Sequence, residues 1–400
     1  MHNVFPQPWP TVPAHCISCD AEALDAAHRL AEVLRAGARD RIRHLSVVDF
    51  NAFSASGLGA ITVPHAYGGP DVANVTLAEV IAIIAAADAT LGQMSQNQLV
   101  FYRMLGYLPD VRVKNWVFAR ALAGLRFGST IAEAHSGTAT GGAVRIRRHG
   151  NGYIVSGRTA CSNAVRFAHY VTLHALNEQR HSVRALIPNT ASGLTVSDDS
   201  AADDGTADGT IVLHDVRLGG TQVFDTEALF DRPTLCGPTA QLIQAAIDAG
   251  IAREALRETI AFIREHSRPW IDSGTERASE DPCSIADVGD VAAKVQAADA
   301  MLHRAAEVLD DSAGRETSAT VTASSMAVAK AKALTAEASV SATSKLFELT
   351  GTHATFGEGM LERHRRHVRT PAPHDPVRWT YHAAGEHTWN PAAVPRQAWI

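Results

Sequence analysis

Near the C-terminus, one imidazole and one carboxylate, His374 and Asp375, stand in a stretch punctuated by Pro371, Pro373 and Pro376. Prolines stop a helix and stiffen the backbone. Such a loop can hold a titratable pair at the mouth of a cavity, where a histidine takes or gives a proton near neutral pH. The same spacing also fits a solvated surface loop. A second candidate pair is Gln98 and Tyr102, one turn apart on one helix face. Both can hydrogen-bond into a cavity, or they are interfacial residues. Cys16 and Cys19 form a lone C-x-x-C. A metal site needs about four ligands, so no metal is expected.

The elements that must position these residues follow from periodicity. Residues 20–45 read as an amphipathic helix, with Leu24, Ala27, His28, Ala31 and Leu34 at helical spacing and Asp20 as cap. A short helix over 49–57 stops at Gly57. Leu58–Pro64 reads as an extended apolar run, followed by a turn at Tyr67-Gly68-Gly69-Pro70. Thr76–Ala87 is apolar nearly all round, which predicts a buried helix. Asp88–Gly92 breaks it, and helices follow over 93–106 and 113–123.

The pattern then changes to short β-prone runs at 125–132, 144–148, 152–156, 170–175, 182–188 and 210–213. His149-Gly150-Asn151-Gly152 marks a hairpin turn. These runs predict a small antiparallel β domain. Long helices follow over 241–266, 285–310 and 317–349. Ala245, Ala246, Ala249, Gly250 and Ala252 form a small-residue packing face, as in a four-helix-type bundle. The expected division is an extension at 1–19, a helical domain at 20–124, a β domain at 125–235 and a bundle with an active-site loop at 236–400.

Composition excludes several classes. A formal charge of −6 gives no electrostatic case for nucleic acid. The longest apolar stretch, Val80–Ala87, is too short to span a bilayer. Met1–Cys19 carries four prolines and no signal-like core. Five cysteines in 400 residues do not suggest a disulfide framework, so a cytoplasmic setting is expected.

The order of helices, small β domain and helical bundle resembles the acyl-CoA dehydrogenase fold over about residues 20–390. Ile61–Pro64 with Tyr67-Gly68-Gly69 looks like its strand-and-turn signature. Gly157–Ala164 looks like its flavin-contact segment, and Phe347–Thr352 like the turn at a cofactor's phosphate end. Gln96-Asn97, Arg232–Leu235, Ala246–Arg253, Arg268-Pro269-Trp270 and His374–Trp379 resemble the branch of reduced-flavin monooxygenases that act on dimethylsulfone and dibenzothiophene.

The resemblance implies a two-component enzyme. A flavin reductase supplies reduced FMN (FAD fits the same fold), and O2 adds to form a C4a-(hydro)peroxyflavin. That adduct oxygenates a small or medium organic substrate at sulfur, nitrogen or carbon. It implies Ser129, Thr130, Ser162 and Asn163 around the flavin, with Gly351 and Thr352 at its phosphate end. It implies Arg268 and Trp270 reaching a neighbouring subunit's cofactor in a homotetramer. Its catalytic set is His374, Ser162, Gln98 and Tyr102.

The chain departs from that branch at three points. Asp203 and Asp204 stand where Gln and Arg are usual, Gln98 replaces a histidine, and Pro371 replaces a first loop histidine. Two other readings share the architecture. One is an FAD-holding acyl-CoA dehydrogenase-like enzyme, although the loop lacks the glutamate base common in such enzymes. The other is a divergent non-redox enzyme or binding protein that has weakened or lost flavin use.

Overall fold

The computed structural model describes residues 10, 13–38, 47–130, 144–161, 163–179, 181–197, 209–226, 229, 232–267, 269, 272–350 and 377–390. The chain forms two compact units. One comprises Met1–Ala26, His44–Val72 and Met94–Thr234; the other comprises Ala27–Arg43, Ala73–Gln93 and Leu235–Ile400.

In chain order the first helices are α1 (Asp20–Ala38), α2 (Val47–Ala55), α3 (Asn74–Ala87), α4 (Ala89–Tyr107) and α5 (Val111–Leu122). Asp110 caps α5 by accepting from Arg112 N and Val113 N. The Leu58–Pro64 run is not a strand. It coils as a 3-10 turn at Leu58–Ala60 followed by further turns. Its apolar side chains are buried as a strand's would be, with Leu58, Ile61 and Val63 fully enclosed. Local bonds satisfy its backbone instead: Ala60 N donates to Gly57 O and Val63 N to Ala60 O, each at 3.0 Å. An apolar run fixes burial but not backbone pairing.

The sheet comprises β1 (Phe127–Ser129), β2 (Arg145–His149), β3 (Gly152–Cys161), β4 (Tyr170–Leu176), β5 (Ser182–Pro188), β6 (Leu194–Ser197), β7 (Gly209–Gly219) and β8 (Val223–Asp225). The strand order is β6-β7-β3-β2-β4-β5-β8, with β1 also paired to β4. Antiparallel pairing dominates, as expected, but β1 and β2 each run parallel to β4, so the sheet is mixed. The β2–β3 hairpin turns where the sequence places it, with His149 opposite Gly152. Val155, Val171, Leu173, Ala185, Ile187, Ile211 and Val216 belong to one apolar cluster on this sheet.

The second unit is built on long helices: α6 (Cys236–Glu265), α7 (Pro282–Ser312), α8 (Ser318–Thr350) and α9 (Val377–Trp389). The first three match the predicted bundle. Val377–Trp379, the end of the His374–Trp379 motif, lies in α9. The small residues of α6 are buried, and Gly250 shows why they are small. A Cβ there would sit 2.4 Å from Ala82 O on α3. Hydroxyls on α8 bond back to their own helix: Thr343 Oγ1 donates to Ser339 O at 2.7 Å and Thr350 Oγ1 to Leu346 O at 2.6 Å. Thr335, Ser339, Thr343 and Thr350 are buried with their hydroxyls paired in this way.

Candidate active site at the end of strand β1

Strand β1 gathers the predicted site residues that the structure describes. Its core is pinned by Gly128. A Cβ at that position would lie 2.8 Å from Val165 Cα and 3.0 Å from Ala168 Cβ, so the 3-10 turn Asn163–Phe167 packs directly on the strand. Beyond β1, Thr130 forms an antiparallel bridge with Cys161, the last residue of β3. This bridge brings Ser129 and Thr130 to the end of β3 that leads into Ser162. The sequence placed these two segments on one flavin; the fold makes them neighbours.

The Thr130 amide is already committed, because it donates to Thr172 O at 3.0 Å. The resemblance implies Thr130 beside the flavin, and in the structure its amide serves the sheet. Ser129 Oγ donates to Thr130 O at 3.0 Å, and Thr172 Oγ1 donates to Gly128 O at 3.1 Å.

Gln98 is a clamp. Its Nε2 donates to Gly59 O at 2.8 Å, and its Oε1 accepts from Phe127 N at 2.9 Å. One amide thus ties α4, the 58–60 turn and β1 together. An amide can do both jobs at once and cannot exchange a proton near neutral pH. The expectation that Gln98 acts on substrate gives way here to a positioning role.

Tyr102 is fully buried. Its ring packs edge-on to Phe118 and Phe127, with centroids 6.2 and 5.9 Å away. Its hydroxyl finds no hydrogen-bond partner among the described residues. Burial pushes the phenol well above its usual range, so it stays a neutral donor.

Sequence reading missed Arg126. An arginine at the head of an apolar strand reads as solvated, yet this one is 5% exposed. Burial brings its guanidinium down to about 10, still protonated at neutral pH. The only signal was its place between Leu125 and Phe127 in an otherwise apolar run.

Ser162, Arg268, Trp270, Gly351, Thr352, Pro371, His374, Asp375, Asp203 and Asp204 lie outside the described residues, as does the side chain of Asn163. No group of three or more metal-ligating side chains occurs among the described residues. No described helix is long and apolar enough to cross a membrane.

The described set fits a flavin in its chemistry. Ser129, Thr130 and Tyr102 supply hydroxyls and no charge, and the buried Tyr102 hydroxyl has no partner among the described residues. A neutral polar set of this kind suits a heteroaromatic ring walled by aromatic side chains.

Residues 242–379 match the family model "Acyl-CoA dehydrogenase, C-terminal domain". A dibenzothiophene monooxygenase of Rhodococcus qingshengii is 30% identical, over 93% of this chain and 94% of its own length. A probable FMNH2-dependent monooxygenase, SfnC of Pseudomonas putida, is 24% identical, covering 85% of this chain and 87% of that protein. Among solved structures, FMN-bound TdsC from Paenibacillus sp. A11-2 superposes with a TM-score of 0.85 at 27% identity, covering 94% of this chain and all of that one. The fold and these likenesses define an oxidoreductase of the acyl-CoA dehydrogenase superfamily. Within it, the chain belongs to the dibenzothiophene monooxygenase family and is a flavin-dependent monooxygenase.

Proposed function

We propose that this enzyme uses reduced FMN and dioxygen to insert one oxygen atom into a small or medium organic molecule, at a sulfur, nitrogen or carbon centre. When bound, the reduced flavin supplies two electrons and the locus of oxygen activation. One oxygen enters the substrate, the other leaves as water, and the flavin is released oxidised. The observation that carries the reading is the Thr130–Cys161 bridge, which joins the two segments assigned to the ring.

The chain's own residues divide the remaining work. Gln98 holds β1 in register against α4. Phe118, Phe127 and Tyr102 keep their side of the site dry, which protects a reactive oxygen species from water. Tyr102 offers a neutral O–H. Ser129, Thr130, Ser162 and Asn163 are proposed around the ring, and Gly351 and Thr352 at the phosphate end. Arg268 and Trp270 are proposed to serve a neighbouring subunit within a homotetramer. His374 is proposed to hold and return the proton that oxygen reduction requires, a task suited to an imidazole. A separate flavin reductase is the proposed source of FMNH2, and the cytoplasm the proposed location.

The test couples the full chain to a flavin reductase with NADH, FMN and 18O2, over a panel of organic sulfides, amines and aromatics. One labelled oxygen per product molecule is expected. Peroxide release with no labelled product from any compound would oppose the reading. Full coupling by the His374→Ala protein would remove His374 from its proposed role.

A further inference from the structure

Arg126 is a buried cation held wholly by neutral groups. Its Nε donates to Phe167 O at 2.6 Å. Its Nη1 is shared by Phe50 O and Asn51 Oδ1, both at 3.2 Å, and Ser54 Oγ at 2.7 Å. Among the described residues no carboxylate pairs with it. Among the described residues its remaining nitrogen, Nη2, is buried and without a partner. A buried charge left uncompensated is costly, and so is an unmade hydrogen bond.

This guanidinium lines a cavity with Ser54, Gly57, Gly59, Gln98 and Gly124, in which there is room for one water-sized particle. The polar side chains there are rich in donors. Nη2 has both hydrogens free. Gln98 Nε2 has a second hydrogen beyond the one given to Gly59 O. Ser54 Oγ accepts from Nη1 and keeps its own hydrogen to give. A water here would receive hydrogen bonds without offsetting the charge. A small monovalent anion accepts from every donor and neutralises the cation.

We propose that this cavity is a binding site for a single halide-sized anion, held by Arg126 Nη2 and assisted by Gln98 and Ser54. The anion is structural. It locks the end of α2, the 58–60 turn and the head of β1 into one piece, which is the piece that Gln98 holds from α4 and that leads to Thr130.

Two measurements on the full chain decide the matter. Crystals grown in sodium bromide are examined for anomalous scattering at the bromine edge. A peak in contact with Nη2 is expected, and its absence overturns the proposal. Thermal unfolding is then compared in sodium chloride and sodium gluconate at equal ionic strength. A saturable rise in Tm of about 3 °C with chloride is expected, lost in Arg126→Met. Equal Tm values in the two salts would overturn the claim that the anion offsets the charge. Should Arg126→Met fail to fold, the wild-type bromide map and salt series still decide.

Discussion

The side-chain carbonyl of Gln98 accepts the backbone N–H of Phe127 at 2.9 Å, which hangs strand β1 from helix α4. The same amide holds Gly59 O at 2.8 Å. Replacing it with leucine keeps the size and removes both bonds, leaving a buried N–H and a buried C=O unpaired. Gln98→Leu is expected to cost about 2–3 kcal/mol in urea unfolding. Reduced-flavin affinity should fall with it, because Ser129 and Thr130 follow directly on the loosened strand. An unchanged unfolding midpoint would remove the clamp from the account.

Tyr102 separates stability from activity. Its buried hydroxyl has no partner among the described residues, so Tyr102→Phe removes a group that costs desolvation. Stability should hold or rise by up to about 1 kcal/mol. Oxygenation should drop about tenfold if the phenol donates to substrate or flavin, as proposed. Because burial holds the phenol neutral, no activity change near pH 10 should trace to it. Loss of both stability and activity would make Tyr102 a packing residue.

In the second unit, Arg253 stands between two carboxylates. Its Nη1 meets Glu79 Oε1 at 2.8 Å and its Nε meets Asp299 Oδ1 at 2.9 Å. Burial opposes charge on Arg253, but the bonds to Glu79 and Asp299 prevail and raise its pKa. Asp299 responds in the other direction. Burial, helped by the nearby Glu79 charge, raises its carboxyl despite Arg253. The folded protein therefore binds the Asp299 proton more readily than the unfolded chain does. That contribution is fully present below the unfolded value of 3.8 and is lost as pH rises through the folded one. At pH 7, Arg253→Met leaves two facing carboxylates and should cost about 2 kcal/mol. The loss should shrink toward pH 4, where protonation relieves the repulsion. Asp299→Asn should stay within about 1 kcal/mol of wild type at pH 7, because Glu79 still holds the guanidinium. Unfolding curves of both variants at pH 7 and pH 4 check the pattern, and a constant loss across that range would refute it.

Gly250 lets α6 pack closely on α3. Its substitution by alanine places a methyl 2.4 Å from Ala82 O and 2.9 Å from Ala85 Cβ. The helices must part, and a loss of about 2–3 kcal/mol is expected by calorimetry or urea unfolding. The gain in helix propensity, about 1 kcal/mol, works against it and does not cancel it.

Much of this architecture was legible because local patterns carried it. The buried α3 announced itself by apolar residues on every side, and the α6 packing face by its small residues. The β2–β3 hairpin was marked by its glycines and asparagine. The strands β6 and β8 were not seen; each is short, and pairing with β7 and β5 makes them strands. Leu58–Pro64 has strand composition but turn geometry. Of the candidate site, Gln98, Ser129 and Thr130 were proposed by type and resemblance, and the structure gives the Gln98 side chain and the Thr130 amide other partners. Gln98 bonds residues 39 and 29 positions away, and the Thr130 amide is taken by Thr172. Arg126 was hidden for the same reason. Its burial comes from residues 50–54 and Phe167, contacts that no local window holds.

The central claim is use of reduced FMN, and the direct measurement is anaerobic titration of the full chain with reduced FMN and, separately, reduced FAD, read by protein fluorescence. Saturable binding of reduced FMN, tighter than that of reduced FAD and weakened in Ser129→Ala and Thr130→Ala, is the predicted result. Failure of either reduced flavin to bind would contradict the account. Asp203 and Asp204 would then be the first place to look for the cause.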